Sequence, residues 1–221
     1  MPLPFANRAY AGTLTRRDFI KLSALAALST AAGCAANPVT GQSQFMLMGE
    51  GEEIRLDKTA SPHQFSADYG QTQDSALNSY VAGVGTALDR VSHRPHMPYN
   101  FHVVNATYIN AYAFPGGSIA VTRGILAELD NEAELAALLG HELGHVNARH
   151  TAARMSKGKL LGALVGGATL LAGAKSKTLG DLAGTLGGAG AGLLLASYSR
   201  DDERQADDLG MEYMEIGRAH V

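Results

Sequence analysis

Residues 140–150 read GHELGHVNARH, three histidines and a glutamate within one short stretch. Taken as an α-helix at 100° per residue, His141 and His145 are separated by about 400°, so their imidazoles project from one face about 40° apart. That is the spacing two ligands need to meet a single ion. Glu142 borders the same face, where a carboxylate can reach a water on the ion without being a ligand itself. This is the HExxH pattern, with Glu142 as general base. His150 lies about 180° from His141 on a straight helix and is excluded from that ion.

HExxH is short enough to arise by chance on a polar helical surface, so its setting matters. Upstream runs LDNEAELAALL. Asn131 is placed to cap the helix and Glu134 to close a capping box. Leu135, Leu138 and Leu139 then form an apolar stripe. The motif therefore sits on a well-specified helix with a buried face.

A catalytic zinc takes three protein ligands and keeps a position for water. The HExxHxxGxxH pattern, which places a third histidine close behind, is not met: position 147 is Asn and position 148 is Ala. The downstream candidates are acidic: Asp201, Asp202, Glu203, Asp207 and Asp208 in SYSRDDERQADDLGMEYM. Glu203 and Asp207 share a helix face at i and i+4. Glu203 could coordinate while Asp207 holds a ligand histidine by a hydrogen bond. A solvated acidic helix would read the same way, and spacing alone leaves the two open.

Four stretches in order extend the pattern: NPVTGQSQFMLM (37–48), NAYAFPGGSIAVTRGIL (110–126), HELGHVNARH and SRDDERQADDLG (199–210). Together they resemble the zinc metallopeptidases of the HtpX/BepA/Oma type, and the resemblance covers most of the chain after residue 36. It implies one Zn²⁺ per chain, held by His141, His145 and Glu203, with Asp207 behind a ligand. It implies an α+β fold, a mainly helical zincin-like domain with a small β-sheet. It also implies that the edge strand at Asn110, Ala111, Tyr112 and Ala113 pairs with an extended substrate peptide. The residues suit a hairpin there: Pro115-Gly116-Gly117 forces a turn, and Ser118–Thr122 alternates as a return strand. The substrates implied are proteins or peptides, in particular misfolded or misassembled envelope proteins.

Around this centre, 221 residues with 46% hydrophobic content amount to one domain and a leader. A net charge of −3 makes no electrostatic case for nucleic acid. The single cysteine excludes an internal disulfide and a thiolate-rich structural zinc site. Residues 1–33 read as a signal peptide: Arg16-Arg17 precede a weakly apolar run from Phe19 to Ala32, too short to span a bilayer and similar to a twin-arginine export signal. TAAGC then resembles a lipoprotein cleavage box, with Cys34 the lipidated residue. Acylation there would anchor the protein to a membrane without a spanning helix. With Ala35 after the cysteine, the expected location is the periplasm, at the outer membrane where there is one.

Residues 34–215 form the expected catalytic domain, truncated at its C-terminal side. IGRAHV (216–221) matches the translation of a sequencing-adapter read and is expected to be a non-native tail. Residues 50–92 are expected to be helical over Glu50–Lys58 and Ser75–Val91, with Val81, Val84 and Leu88 at helical spacing. Phe101–Asn105 reads as a short strand, and His93, His96 and His102 as loop or strand-surface histidines. The Gly/Ala-rich stretch 158–196 fits an insertion packed near the active site, a membrane-surface segment or a re-entrant hairpin. The rival function is a zinc-stabilised, chaperone-like assembly factor with little turnover. Glu142 argues against it, because a pure binding module has no use for a general base. The strand motif argues against a metalloenzyme acting on a non-peptide bond.

Overall fold

The computed structural model describes Arg16, residues 33–171 and residues 198–218. The leader and most of the Gly/Ala-rich stretch therefore lie outside the described residues. The elements run β1 (Cys34–Ala36), β2 (Ser43–Phe45), α1 (Glu50–Ala67), α2 (Ser75–Asp89), β3 (Asn100–Val104), β4 (Ala111–Ala113), β5 (Ser118–Thr122), α3 (Arg123–Leu126), α4 (Glu132–Asn147), α5 (His150–Leu171) and α6 (Arg200–Arg218). The architecture is α+β and mostly helical, as expected.

The sheet that matters has the order β3-β5-β4. β3 and β5 are parallel, and β4 returns antiparallel to β5 through Pro115-Gly116-Gly117. Gly117 takes φ +109°, a backbone conformation that side-chain-bearing residues rarely adopt. β5 is central and buried along its whole length. Its alternation therefore divides two apolar faces instead of separating core from solvent. Ile119 and Val121 join Val81, Phe101, Val103, Leu139, Leu143 and Leu209 in the main core, built with α2, α4 and α6. Ala120 packs with Val104, Tyr112 and Phe114 on the other face, against Ala60 and Phe65 of α1. β4 is an edge strand with no ladder partner on its outer side among the described residues.

α1 departs from expectation. It continues past Lys58 to Ala67 with Pro62 inside it, although proline removes a helix hydrogen bond. Its buried positions are Glu53, Asp57 and Ser61, a polar stripe at i, i+4 and i+8. Each carboxylate there has partners. Asp57 Oδ2 accepts from Ser118 N at 2.8 Å and so pins the hairpin turn. Glu53, fully buried, takes Arg94 at 2.8 Å and Arg149 at 2.8 Å on its two oxygens. Arg94 also donates to Val146 O at 2.9 Å, satisfying a carbonyl in the last turn of α4.

The NPVTGQSQFMLM stretch forms a strap over the end of α4. Asn37 Oδ1 accepts from Val39 N at 2.9 Å, which shapes the turn, and Asn37 Nδ2 reaches Ala148 O at 3.4 Å. Met46 and Met48 pack on Ala152. Met48 O accepts from Arg149 Nη2 at 2.8 Å, and Leu47 N donates to Ser156 Oγ at 2.9 Å. Cys34 is exposed at the start of β1. Among the described residues, no helix is long and apolar enough to cross a membrane.

Glu53→Ala leaves two arginines without their shared carboxylate in a buried site. The expected loss is about 3–5 kcal/mol of stability, measured by urea unfolding. A loss under about 1 kcal/mol would mean that this network does not hold α1 to the end of α4.

Candidate metal centre

α4 begins as the sequence requires. The Asn131 side chain accepts from Glu134 N at 3.1 Å. The Glu134 carboxylate returns one residue earlier than in a standard capping box, accepting from Asp130 N at 2.9 Å. Leu135, Leu139 and Leu143 anchor the helix in the core. The opposite side then carries His141 and His145, whose Nε2 atoms lie 3.0 Å apart.

The acidic run forms α6, which packs directly along α4. The contact depends on small residues. A Cβ on Gly144 would meet Ala206 O at 2.8 Å and Ala206 Cα at 2.9 Å. A Cβ on Gly140 would meet Gly210 Cα at 3.0 Å. These positions bring the two backbones together, and Leu209 and Tyr213 seal the contact from the core side. Glu203 Oε2 arrives 3.5 Å from His141 Nε2. Asp207 Oδ1 lies 2.8 Å from His141 Nδ1.

His141, His145 and Glu203 thus each offer one ligand atom, all within 4.8 Å of one another. Two imidazole nitrogens and one carboxylate oxygen are a donor set that suits zinc. Each histidine has its Nδ1 engaged elsewhere, His141 on Asp207 and His145 on His150. Both Nε2 atoms are thereby left pointing at the common position, so the residues present fit one zinc ion. Burial, reinforced by His141, His150 and Arg154, pushes His145 down to about 2. It remains a neutral imidazole with a lone pair to offer.

Glu142 is 8% exposed. Burial is the main cause that lifts its carboxyl to about 7, aided by the negative charge of Glu203 and opposed by His141. A carboxylate poised near neutrality beside the common position suits proton transfer in both directions. Of the proposed substrate strand, Ala111, Tyr112 and Ala113 form β4, and Asn110 precedes it with its carbonyl accepting from Thr122 N at 3.0 Å. Ala113, Phe114 and Pro115 line a small cavity together with His145, Arg149 and Thr151.

The histidines set aside as non-ligands stay apart from the donors. His93 meets Tyr213 OH at 2.9 Å, His96 meets Glu50, and His102 packs on Phe65. Two features escaped the sequence. α4 ends at Asn147, and Arg149 takes φ +61°, so the chain turns and His150 falls beside His145 instead of on the face opposite His141. Tyr198 stacks on the His145 ring at 3.8 Å and 17°. Its hydroxyl lies 2.7 Å from Thr151 Oγ1, and the Arg154 guanidinium sits 4.5 Å from its ring centre. An aromatic just before the acidic run was the one available signal for it.

Helix-borne HExxH joined to a glutamate from a second helix is an arrangement suited to a metallopeptidase. The chain belongs to peptidase family M48, whose model matches residues 75–220; peptidases of this family are zinc-dependent metallopeptidases. It is 34% identical over 147 residues to a beta-barrel assembly-enhancing protease of Yersinia pestis, covering 64% of this chain and 30% of that relative. It is 32% identical over 121 residues to metalloprotease YcaL of Escherichia coli, 53% of this chain and 44% of the relative. With the mitochondrial metalloendopeptidase OMA1 of Schizosaccharomyces pombe it shares 33% identity over 135 residues, 61% and 38%. The aligned part of the chain thus spans less than half the length of these relatives.

The α4–α6 contact makes a quantitative expectation. Gly144→Ala drives a methyl into the α6 backbone and should cost about 1–3 kcal/mol. It should also weaken zinc binding, because Glu203 rides on the displaced helix. Gly83→Ala, where a Cβ meets nothing within 4 Å, should instead stabilise by roughly 0.5–1 kcal/mol. Thermal melts and chelator competition on both variants check the pair.

Proposed function

We propose that the chain is a zinc-dependent endopeptidase of the cell envelope that degrades misfolded or misassembled envelope proteins. The observation that carries the reading is the convergence of His141, His145 and Glu203 with Glu142 buried beside them. Zinc held by these three residues would polarise a scissile carbonyl and acidify a water molecule. Glu142 is placed to take up a proton from a water at that position and would return it to the leaving amine. Asp207 holds His141 in orientation through Nδ1.

β4 is the substrate-binding strand in this reading. Its outer edge is open among the described residues, and its C-terminal end comes close to His145. An extended peptide added to that edge would pair with the backbone of Asn110–Ala113 and run past the metal position. Strand pairing requires an unfolded segment, which suits misfolded proteins as substrates. The location follows from the leader: export, acylation at Cys34 and a membrane tether on the periplasmic side, at the outer membrane where one exists. The exposure of Cys34 at the edge of the described fold is compatible with an anchor.

The test is zinc content together with casein cleavage for the wild type, Glu142→Gln and Glu203→Ala. Glu142→Gln should keep one zinc and lose cleavage by at least about 100-fold. Glu203→Ala should lose or weaken the metal. Zinc without cleavage in the wild type as well would favour the chaperone-like assembly role. Full metal and activity in Glu203→Ala would move the third ligand elsewhere.

A further inference from the structure

His150 is buried, at 6% exposure, and a straight continuation of α4 would have turned it away from the metal position. The chain departs from that course. α4 stops at Asn147, Arg149 enters the left-handed region at φ +61°, and α5 starts at His150. A non-glycine residue in that region costs free energy and persists only where its surroundings enforce it. Glu53 and Met48 O do so here, through the Arg149 Nε and Nη2 contacts of 2.8 Å each. The consequence is that His150 Nδ1 stands 2.9 Å from His145 Nδ1, and His150 Nε2 stands 2.8 Å from Gln205 Oε1. Asp202 Oδ1 is 3.6 Å from the same Nε2, outside hydrogen-bond range.

Proton accounting fixes the direction of this chain of contacts. An amide oxygen only accepts, so His150 Nε2 carries a hydrogen and donates to Gln205. A neutral His150 then presents a bare Nδ1, which accepts from the Nδ1–H of His145. His145 is left with its lone pair on Nε2, the atom that faces His141 Nε2. We propose that His150, set by Gln205, is the positioning residue that fixes the tautomer and ring orientation of His145 for metal binding. This rests on the metal site proposed above. The two ligand histidines are then oriented by different chemistry: a carboxylate, Asp207, behind His141, and a neutral imidazole backed by an amide behind His145. Both Gln205 and Asp207 come from α6, so one helix supplies the third ligand and orients both of the others.

The experiment is zinc affinity by chelator competition on the full chain, with cobalt(II) absorption spectra as a second readout. The wild type is compared with His150→Phe, Gln205→Leu, Gln205→Glu and Glu203→Ala. His150→Phe keeps a ring of similar shape but accepts no hydrogen bond. It should weaken zinc by about 10–100-fold and alter the cobalt spectrum, which mere structural support would leave in place. Gln205→Leu should weaken binding in the same direction, and Gln205→Glu, which keeps an acceptor, should restore it to within a few-fold. Wild-type affinity and spectrum in folded His150→Phe would overturn the inference. Should His150→Phe not fold, the Gln205 pair decides: equal affinity in the leucine and glutamate variants overturns it. Glu203→Ala separates the two levels. If it binds zinc like the wild type, the metal site itself is misassigned. If it loses zinc while the His150 and Gln205 variants do not, only the positioning role fails.

Discussion

The close approach of α4 and α6 is the constraint on which the site depends. Gly140 and Gly144 on one helix meet Gly210 and Ala206 on the other at distances where a single added Cβ would strike backbone. Close packing of this kind leaves no slack, because interiors pack densely and adjust little to added atoms. It gives Glu203, with a side chain of only moderate reach, access to the position in front of His141 and His145. It also sets Asp207 against His141 and Gln205 against His150. In HELGH the glycine therefore has a physical role as definite as the histidines. It stands on the face of α4 where a side chain would keep the carboxylate helix away.

A second constraint acts at the other end of α4. The helix must stop at Asn147 for His150 to fall beside His145, and the stop requires Arg149 to hold φ +61°. No glycine or proline supplies it. Glu53, Arg94, Met48 and Asn37 supply it instead, from segments far away in sequence. This explains why α1 buries a polar stripe. Glu53 and Asp57 face inward because each carboxylate fixes a turn that borders the site, at Arg149 and at Ser118. An apolar stripe would have packed α1 more cheaply but would have fixed neither turn.

Which of these features could be read from the sequence follows from their range. The shared face of His141 and His145, the Asn131 cap and the turn at Pro115-Gly116-Gly117 are local, set by helical period and by backbone preference, and each appears as expected. The pairing of Glu203 and Asp207 on one face was also local, but whether they approached the histidines was not. That is decided by helix packing, and only the family resemblance pointed to it. A straight helix puts His150 on the far face, and the structure does not, because the break is imposed from residues 37–94 and not by HVNARH itself. α1 ran through Pro62 for a similar reason. Ala60 and Phe65 pack beneath the sheet and offset the lost hydrogen bond.

The distribution of the donors has a thermodynamic consequence. His141 and His145 are held by one helix and keep their spacing as long as α4 exists. Glu203 belongs to a helix that returns only after the long Gly/Ala-rich stretch, so its arrival depends on docking. Metal binding and the docking of α6 are therefore linked: an ion that binds the docked state stabilises the α4–α6 contact by mass action, and any change that loosens the contact weakens the ion. The hydrogen bonds to Asp207 and Gln205 tighten this linkage, since they exist only when α6 is in place. They connect the two pre-aligned imidazoles to the same event that delivers the carboxylate. A site assembled in this way has its ligand geometry complete only in the folded pair of helices, and the unfolded chain holds nothing more than two histidines in one short segment. Zinc held by these three residues would therefore add to the stability of the packed helices.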